Sequence, residues 1–107
     1  MSQDALREKV VAIARGILDG ETEVLEGSRI LSGLLGRLSL GDDDEDHRAF
    51  VLIDSETDAL PVSRARAHWS AESLLELDPR FRDAQKWALA IAEPHCSNLI
   101  KRFAPVS

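Results

Sequence analysis

The sequence predicts a mainly α-helical fold, a compact bundle of four to five helices that forms a single domain over residues 1–107. Three observations support this prediction. Apolar residues recur at helical spacing in three long segments. Residues that start or stop helices flank those segments. No segment alternates apolar and polar residues as a half-buried strand does.

Residues 3–19 form the first predicted helix, with Ser2 as its cap and Gly20 as its stop. One face of this helix is apolar and consists of Leu6, Val10, Ile13, Ala14, Ile17 and Leu18.

A second helix is predicted over residues 23–39, with Thr22 as its cap. Its apolar face consists of Val24, Leu31, Leu34, Leu35 and Leu38. The same segment contains the small residues Gly27, Ser28, Ser32, Gly33 and Gly36. Each interior glycine costs about 1 kcal/mol in a helix. We therefore expect a neighbouring helix or a partner to approach this backbone closely, and internal packing is the favoured interpretation.

The apolar run "AFVLI", residues 49–53, is too short for its periodicity to separate a helix from a strand. Asp46 could cap a helix that ends near Glu56, or residues 50–53 could pair with 59–62 in a hairpin. The helix is favoured, because nothing else in the chain resembles a strand and an isolated hairpin is marginally stable.

After a predicted loop over residues 61–68, Ser70 can cap a short helix over 71–76. Asp78 followed by Pro79 is typical of a helix start, so a new helix is predicted from Pro79. We expect Pro94 to kink or break this last helix. Its predicted inner face consists of Phe81, Ala84, Trp87, Ala88, Ile91, Ala92, Leu99, Ile100 and Phe103.

The net charge of −6 is concentrated in one stretch. Residues 42–58 contain eight acidic residues and Arg48 alone, whereas the rest of the chain contains 12 basic and 11 acidic residues. A focal acidic patch creates a directed field that attracts basic partners. It disfavours nucleic acid as a ligand, because phosphate is bound by Lys and Arg.

The cytoplasm is the expected compartment. The single cysteine, Cys96, excludes an internal disulfide. No apolar run approaches the roughly 20 residues that span a bilayer, and the N-terminal residues lack the pattern of an export signal. No association with a membrane is expected.

No metal site, cofactor or catalytic residue is predicted. Asp42, Asp44 and Asp46 have the spacing of a calcium loop, but His47 and Ile53 occupy the positions of its glycine and its bidentate glutamate. His95 and Cys96 are adjacent and have no partner at metal-ligand spacing. Motifs for a nucleophile elbow, a phosphate loop or a dinucleotide site are absent, so an enzyme is not the favoured interpretation.

Two segments carry a resemblance to a known family: "GILDGETEVLEGSRILSGLLGRL", residues 16–38, and "FVLIDSETDALPVSRARAHW", residues 50–69. They resemble a family of small uncharacterised bacterial helical proteins, whose most specific element reads IDSETD-x-LP. Proteins of this kind are candidate immunity proteins of polymorphic or contact-dependent toxin systems. The resemblance implies no enzymatic activity.

Together, the acidic stretch and the resemblance predict an immunity protein that binds and neutralises a basic toxin domain, expected to be a nuclease. The predicted partner-binding residues are Asp42, Asp43, Asp44, Glu45, Asp46, Asp54, Glu56, Asp58 and Trp69. The alternative for the IDSETD carboxylates is internal pairing with Arg64 or Arg66. The alternative functions are another acidic interaction adaptor or regulator and, less favoured, a small hydrolase.

Overall fold

In a computed structural model of the chain, residues 2–41, 43–60 and 70–104 are described. They form four α-helices: α1 (Gln3–Asp19), α2 (Val24–Arg37), α3 (Glu45–Thr57) and α4 (Ala71–Phe103). The described residues contain no strand. The predicted mainly α bundle is confirmed.

Helix α1 has the predicted ends. The Ser2 hydroxyl accepts a hydrogen bond from the backbone N–H of Ala5, and Gly20 closes the helix at φ +79°, in the left-handed region. The predicted cap of α2 is wrong by one residue, because Glu23 rather than Thr22 occupies that position. The Glu23 carboxylate accepts from the N–H groups of Leu25 and Glu26, and also from the Gln85 side chain of α4.

The glycine-rich character of α2 has a packing reason at one position. A Cβ atom on Gly27 would lie 2.7 Å from Cδ1 and 2.9 Å from Cγ1 of Ile17 on α1. The two helices therefore approach each other as closely as the small residue allows. Gly33 has open space where its Cβ would be, so the packing explanation does not extend to it.

The segment around "AFVLI" is helical, as favoured, and no hairpin forms within residues 43–60. The predicted cap is displaced: Asp44 caps α3 by accepting from the N–H of His47, at 3.0 Å. Asp46 lies inside the first turn instead, where it takes part in a contact with α4 that the sequence does not reveal.

Helix α4 is a single helix of 33 residues that begins after the predicted cap Ser70. The predicted new start at Pro79 is wrong, and the helix also continues through Pro94. Both prolines are exposed, as are Leu75 and Ala90, whose carbonyls lose a donor to Pro79 and Pro94 respectively. Because Leu75 and Ala90 lie on the solvent-exposed face of α4, water can replace the missing hydrogen bonds.

All four helices contribute to one core. Its buried apolar residues include Leu6, Val10, Ala14, Ile17, Leu25, Leu31, Leu35, Phe50, Ile53, Phe81, Ala88, Ala92, Cys96 and Leu99. Two residues assigned to inner faces are exposed instead, Leu18 on α1 and Trp87 on α4. Within the described part of the chain, no helix is both long enough and apolar enough to cross a membrane.

Candidate functional site

The N-terminal turn of α3 is attached to the C-terminal part of α4 through Asp46. This carboxylate is buried, with 5% of the residue exposed. Its Oδ1 atom lies 2.7 Å from Nδ1 of His95 and accepts a weaker bond from the Asn98 amide at 3.4 Å. Its Oδ2 atom accepts from Nη1 of Arg102 at 2.7 Å. Asp46 is thus an internal residue, although it belongs to the predicted partner-binding set.

Asp44 shares the same arginine. Arg102 donates to both carboxylate oxygens of Asp44, at 3.2 and 2.9 Å, in the paired geometry that suits a guanidinium. These hydrogen bonds are the main reason that the pKa of Asp44 lies below its ordinary value. The same bonds raise the pKa of Arg102. A cation from α4 therefore offsets the charge at the start of α3.

The IDSETD element forms the C-terminal end of α3, and part of it is structural. Ile53 is fully buried, and the hydroxyl of the buried Thr57 donates to the Ile53 carbonyl at 2.6 Å. Arg29 of α2 donates to the carbonyls of Thr57 and Leu60, at 2.5 and 2.8 Å, and its Nε atom lies 3.5 Å from Asp54. A cation at a helix C-terminus also interacts favourably with the helix dipole.

Arg29 thereby joins the two segments on which the family resemblance rests, residues 16–38 and 50–69. Arg29 on α2 is thus the cation beside Asp54, and the sequence predicted no pairing for Arg29. The pairing predicted with Arg64 or Arg66 involves residues that lie outside the described ranges.

The other predicted partner-binding residues fall into two groups. Four carboxylates are exposed on α3 or at its ends: Asp43, Glu45, Glu56 and Asp58. Asp42 and Trp69 lie outside the described residues. The accessible part of the predicted acidic surface is therefore two pairs of carboxylates, one pair at each end of α3.

A groove runs between α3 and α4 beside these carboxylates. Its larger section, about 820 Å³, is lined by Glu45, His47, Arg48, Ala49, Val51, Leu52, Ser55, Ile91 and His95. Its smaller section, about 290 Å³, is lined by Glu56, Thr57, Asp83, Ala84 and Trp87. The start of α3 contacts the end of α4, so the two helices are antiparallel. The lining residues Glu45, Ala49, Leu52 and Glu56 recur at helical spacing on α3, as do Ala84, Trp87, Ile91 and His95 on α4, so the two sections lie on the same face of each helix. We call this feature the α3–α4 groove.

Large apolar side chains border the α3–α4 groove. Val51, Leu52 and Trp87 are 39%, 45% and 40% exposed. None of the three is predicted as a surface residue from the sequence. The sequence of α3 does contain a signal for this exposure. Phe50, Val51, Leu52 and Ile53 are four consecutive apolar residues, and four consecutive residues cannot all face one side of a helix. For Trp87 the apolar spacing of α4 gave the opposite prediction.

The titratable groups of the groove include an ordered histidine, but no activated thiol lies beside it. His95 is oriented by Asp46 and lies against Phe50 with ring centroids 6.4 Å apart. Cys96, its neighbour in sequence, is fully buried, and burial raises the pKa of its thiol to about 12. A protonated, inaccessible thiol is a poor nucleophile. Among the described residues, no group of three or more His, Cys, Asp or Glu side chains is placed to hold a metal ion.

No protein-family model, curated protein or solved structure matches the chain. Function is therefore inferred from the exposed carboxylates of α3, the α3–α4 groove and the sequence resemblance described above.

Proposed function

We propose that this protein is a cytoplasmic immunity protein, which binds a cognate basic bacterial toxin domain and neutralises it by occupancy. The toxin is expected to be a nuclease, and the binding surface is the exposed side of α3. One observation carries the proposal: Asp43 and Glu45 are exposed at one end of α3, Glu56 and Asp58 are exposed at the other, and the helix between them borders an open apolar groove.

The distribution of carboxylates on α3 supports binding to a partner, because within the described residues only some of them pair with arginines of the same chain. Asp44, Asp46 and Asp54 each lie beside an arginine of another helix. Asp43, Glu45, Glu56 and Asp58 are exposed at the two ends of the same helix. A nuclease is basic where it meets phosphate, so an acidic surface of this kind complements it and speeds encounter.

Carboxylates at the edge of an interface contribute little affinity by themselves, because exposed ion pairs are worth at most about 1 kcal/mol. Tight inhibition requires a central group of apolar or aromatic anchors. The α3–α4 groove offers such residues directly beside the carboxylates, and this proximity favours a binding protein over a merely solvated acidic surface.

The proposal is tested by purifying the protein with the product of the adjacent toxin gene and titrating toxin activity. One equivalent should abolish activity, and a tenth of an equivalent should leave about nine tenths of it, because tight binding titrates the toxin mole for mole. Complete protection at a tenth of an equivalent would contradict inhibition by occupancy.

A charge variant sharpens this test. Replacing Asp43, Glu45, Glu56 and Asp58 by their amides should lower the association rate and weaken its dependence on salt. The matched control changes four exposed carboxylates elsewhere by the same total charge: Glu8→Gln, Asp19→Asn, Glu21→Gln and Glu72→Gln. Equal association rates for the two variants would remove the α3 surface from the mechanism.

Another acidic adaptor or regulator would use the same surface. The adjacent gene distinguishes it, because an immunity gene lies beside its toxin. The His95–Asp46 pair beside the groove is the one observation that favours a small hydrolase, since a carboxylate commonly orients a catalytic histidine. That alternative predicts protection at substoichiometric amounts, which His95→Asn would abolish.

A further inference from the structure

The α3–α4 groove contains an unusual share of the exposed apolar surface. Six large apolar residues are exposed among the described residues, and three of them, Val51, Leu52 and Trp87, line this one groove. Scattered exposed apolar residues need no explanation, whereas a contiguous set with a polar rim is typical of a protein-binding site. Tryptophan is also among the residues that most often dominate binding energy.

The charges that line the groove specify the sign of its ligand. Glu45 lines one section, and Glu56 and Asp83 line the other. All three are exposed, and Arg48 is the only lysine or arginine among the described residues of the lining. The carboxylates thus lie towards the two ends of the groove, with the apolar residues between them. This arrangement complements a ligand that has an apolar stripe and basic residues beside that stripe towards both ends.

The walls of the groove also specify the backbone conformation of the ligand. An extended peptide needs hydrogen-bond partners for its backbone, as an exposed sheet edge would supply. Apart from the carbonyls of Leu75 and Ala90, which Pro79 and Pro94 leave without a donor, the interior backbone groups of α3 and α4 are bonded within the helices. Two isolated carbonyls do not supply the row of partners that an extended peptide needs. A helical ligand satisfies its own backbone groups and can pack between two antiparallel helices as a further member of the bundle.

We propose that the α3–α4 groove binds an amphipathic basic α-helix of the partner protein. This inference rests on the proposed function, because it names the element of the toxin that the acidic surface recognises. Helix α3 has 13 residues, so the groove extends for about 20 Å and matches a ligand helix of about 13 residues. Apolar residues of that helix contact Leu52 and Trp87, and its Lys and Arg residues lie near Glu45, Glu56 and Asp83.

The first experiment uses a synthetic peptide of Leu and Lys in an amphipathic helical pattern. In the full-length Trp69→Phe variant, Trp87 is the only tryptophan, so its emission reports on the groove. The peptide should shift this emission and should perturb backbone amide NMR signals of α3 and α4. A scrambled peptide of the same composition, and a Leu and Glu peptide of the same pattern, should bind at least about tenfold more weakly.

Matched variants locate the contact. Leu52→Ser should weaken peptide binding by about tenfold or more, as expected for a central apolar anchor. Leu75→Ser is the control, because Leu75 is 75% exposed on α4 and lines neither section of the groove. Both residues are exposed, so both variants should fold, which circular dichroism checks. Equal affinities for the two variants, or for the scrambled peptide, would overturn the proposal.

Other occupants of the groove give different results, and each contradicts the proposal. If a second copy of the chain fills the groove, Trp87 emission will change with protein concentration and Leu52→Ser will alter the oligomeric state. If residues 61–69 of the same chain fill it, replacing Arg64 and Arg66 by Ala will shift the emission and the peptide will not.

Titration with the toxin separates this inference from the proposed function. Inhibition that survives Leu52→Ser but is weakened by the four amide substitutions on α3 would overturn the groove as the docking site and leave the immunity function standing. Peptide binding that depends on Leu52, in a protein that inhibits no adjacent toxin, would support the groove and contradict the immunity function.

Discussion

Nδ1 of His95 on α4 lies 2.7 Å from Oδ1 of Asp46 on α3. The same carboxylate accepts from Arg102, so one buried side chain holds the start of α3 against the end of α4. The acidic run over residues 42–58 suggests a surface when only its sequence is considered. In the structure, part of it connects α3 to α4 inside the fold. This arrangement separates the carboxylates that stabilise the fold from those that are free to meet a partner.

Asp46→Asn should be strongly destabilising. The amide keeps the shape of the side chain but leaves the Arg102 guanidinium without one of its two carboxylates. Removing one member of a buried ion pair costs about 3–5 kcal/mol, and the partial exposure of Arg102 places the expected loss near 3 kcal/mol. Urea unfolding followed by circular dichroism measures it. Asp43→Asn is the control, and a loss below about 0.5 kcal/mol is expected there. Similar midpoints for the two variants would refute an anchoring role for Asp46.

Arg29→Met should loosen the end of α3. The carbonyls of Thr57 and Leu60 would lose their charged donor, and leaving such groups without a partner costs about 1–3 kcal/mol. Arg15 is an exposed arginine on α1, so Arg15→Met is the matched control, with an expected change within about 0.5 kcal/mol. Thermal and urea unfolding give both values. If Arg29→Met were as stable as the control, these hydrogen bonds would contribute nothing net.

Two glycines of the same helix should respond to alanine in opposite directions. At Gly27 a Cβ atom would lie within 3 Å of two Ile17 side-chain carbons, so Gly27→Ala should destabilise by about 1–3 kcal/mol. At Gly33 the added methyl group meets open space, so Gly33→Ala should stabilise by up to about 1 kcal/mol. Differential scanning calorimetry provides the comparison. A stabilising Gly27→Ala would show that α1 and α2 can separate without cost.

Asp44 should make stability depend on acid pH. Its pKa is lowered in the folded state, mainly by the hydrogen bond from Arg102. The folded state therefore favours the ionised form. The resulting stabilisation is fully present above the pKa of Asp44 in the unfolded chain and is lost as pH falls through the lower pKa of the folded state.

Asp44→Asn isolates this effect, because asparagine is an equally good helix cap but carries no charge. The variant should be less stable than the wild type near neutral pH, by at most about 1 kcal/mol, and the difference should shrink in acid. Unfolding midpoints measured from neutral to strongly acidic pH test the sign. A difference that grows as pH falls would contradict the ion pair with Arg102.

Local signals in the sequence predict much of the fold. Ser2, Gly20 and Ser70 act as predicted because a cap depends on the few residues beside it. The predicted helix start at Pro79 is wrong. Asp78 and Pro79 give the local signal of a helix start, but the exposed face of a longer helix can also accommodate a proline.

The candidate site is harder to predict than the fold, because its contacts join residues that are far apart in the sequence. The sequence correctly marks residues 42–58 as a concentration of carboxylates, but it does not show which ones meet Arg29 or Arg102. Those pairings depend on how α2 and α4 pack against α3. The exposure of Trp87 has the same origin, since apolar spacing assigns a face to α4 without showing how far its neighbours cover that face.

The link between α3 and Arg102 has a consequence for synthesis of the chain on the ribosome. Arg102 is translated 58 residues after Asp44 and 56 residues after Asp46. Because synthesis proceeds from the N-terminus, α1, α2 and α3 leave the ribosome before Arg102 does, and both carboxylates remain hydrated until that guanidinium reaches them. A nascent chain that stalls before this point carries a charged α3 that cannot pack against its final neighbour.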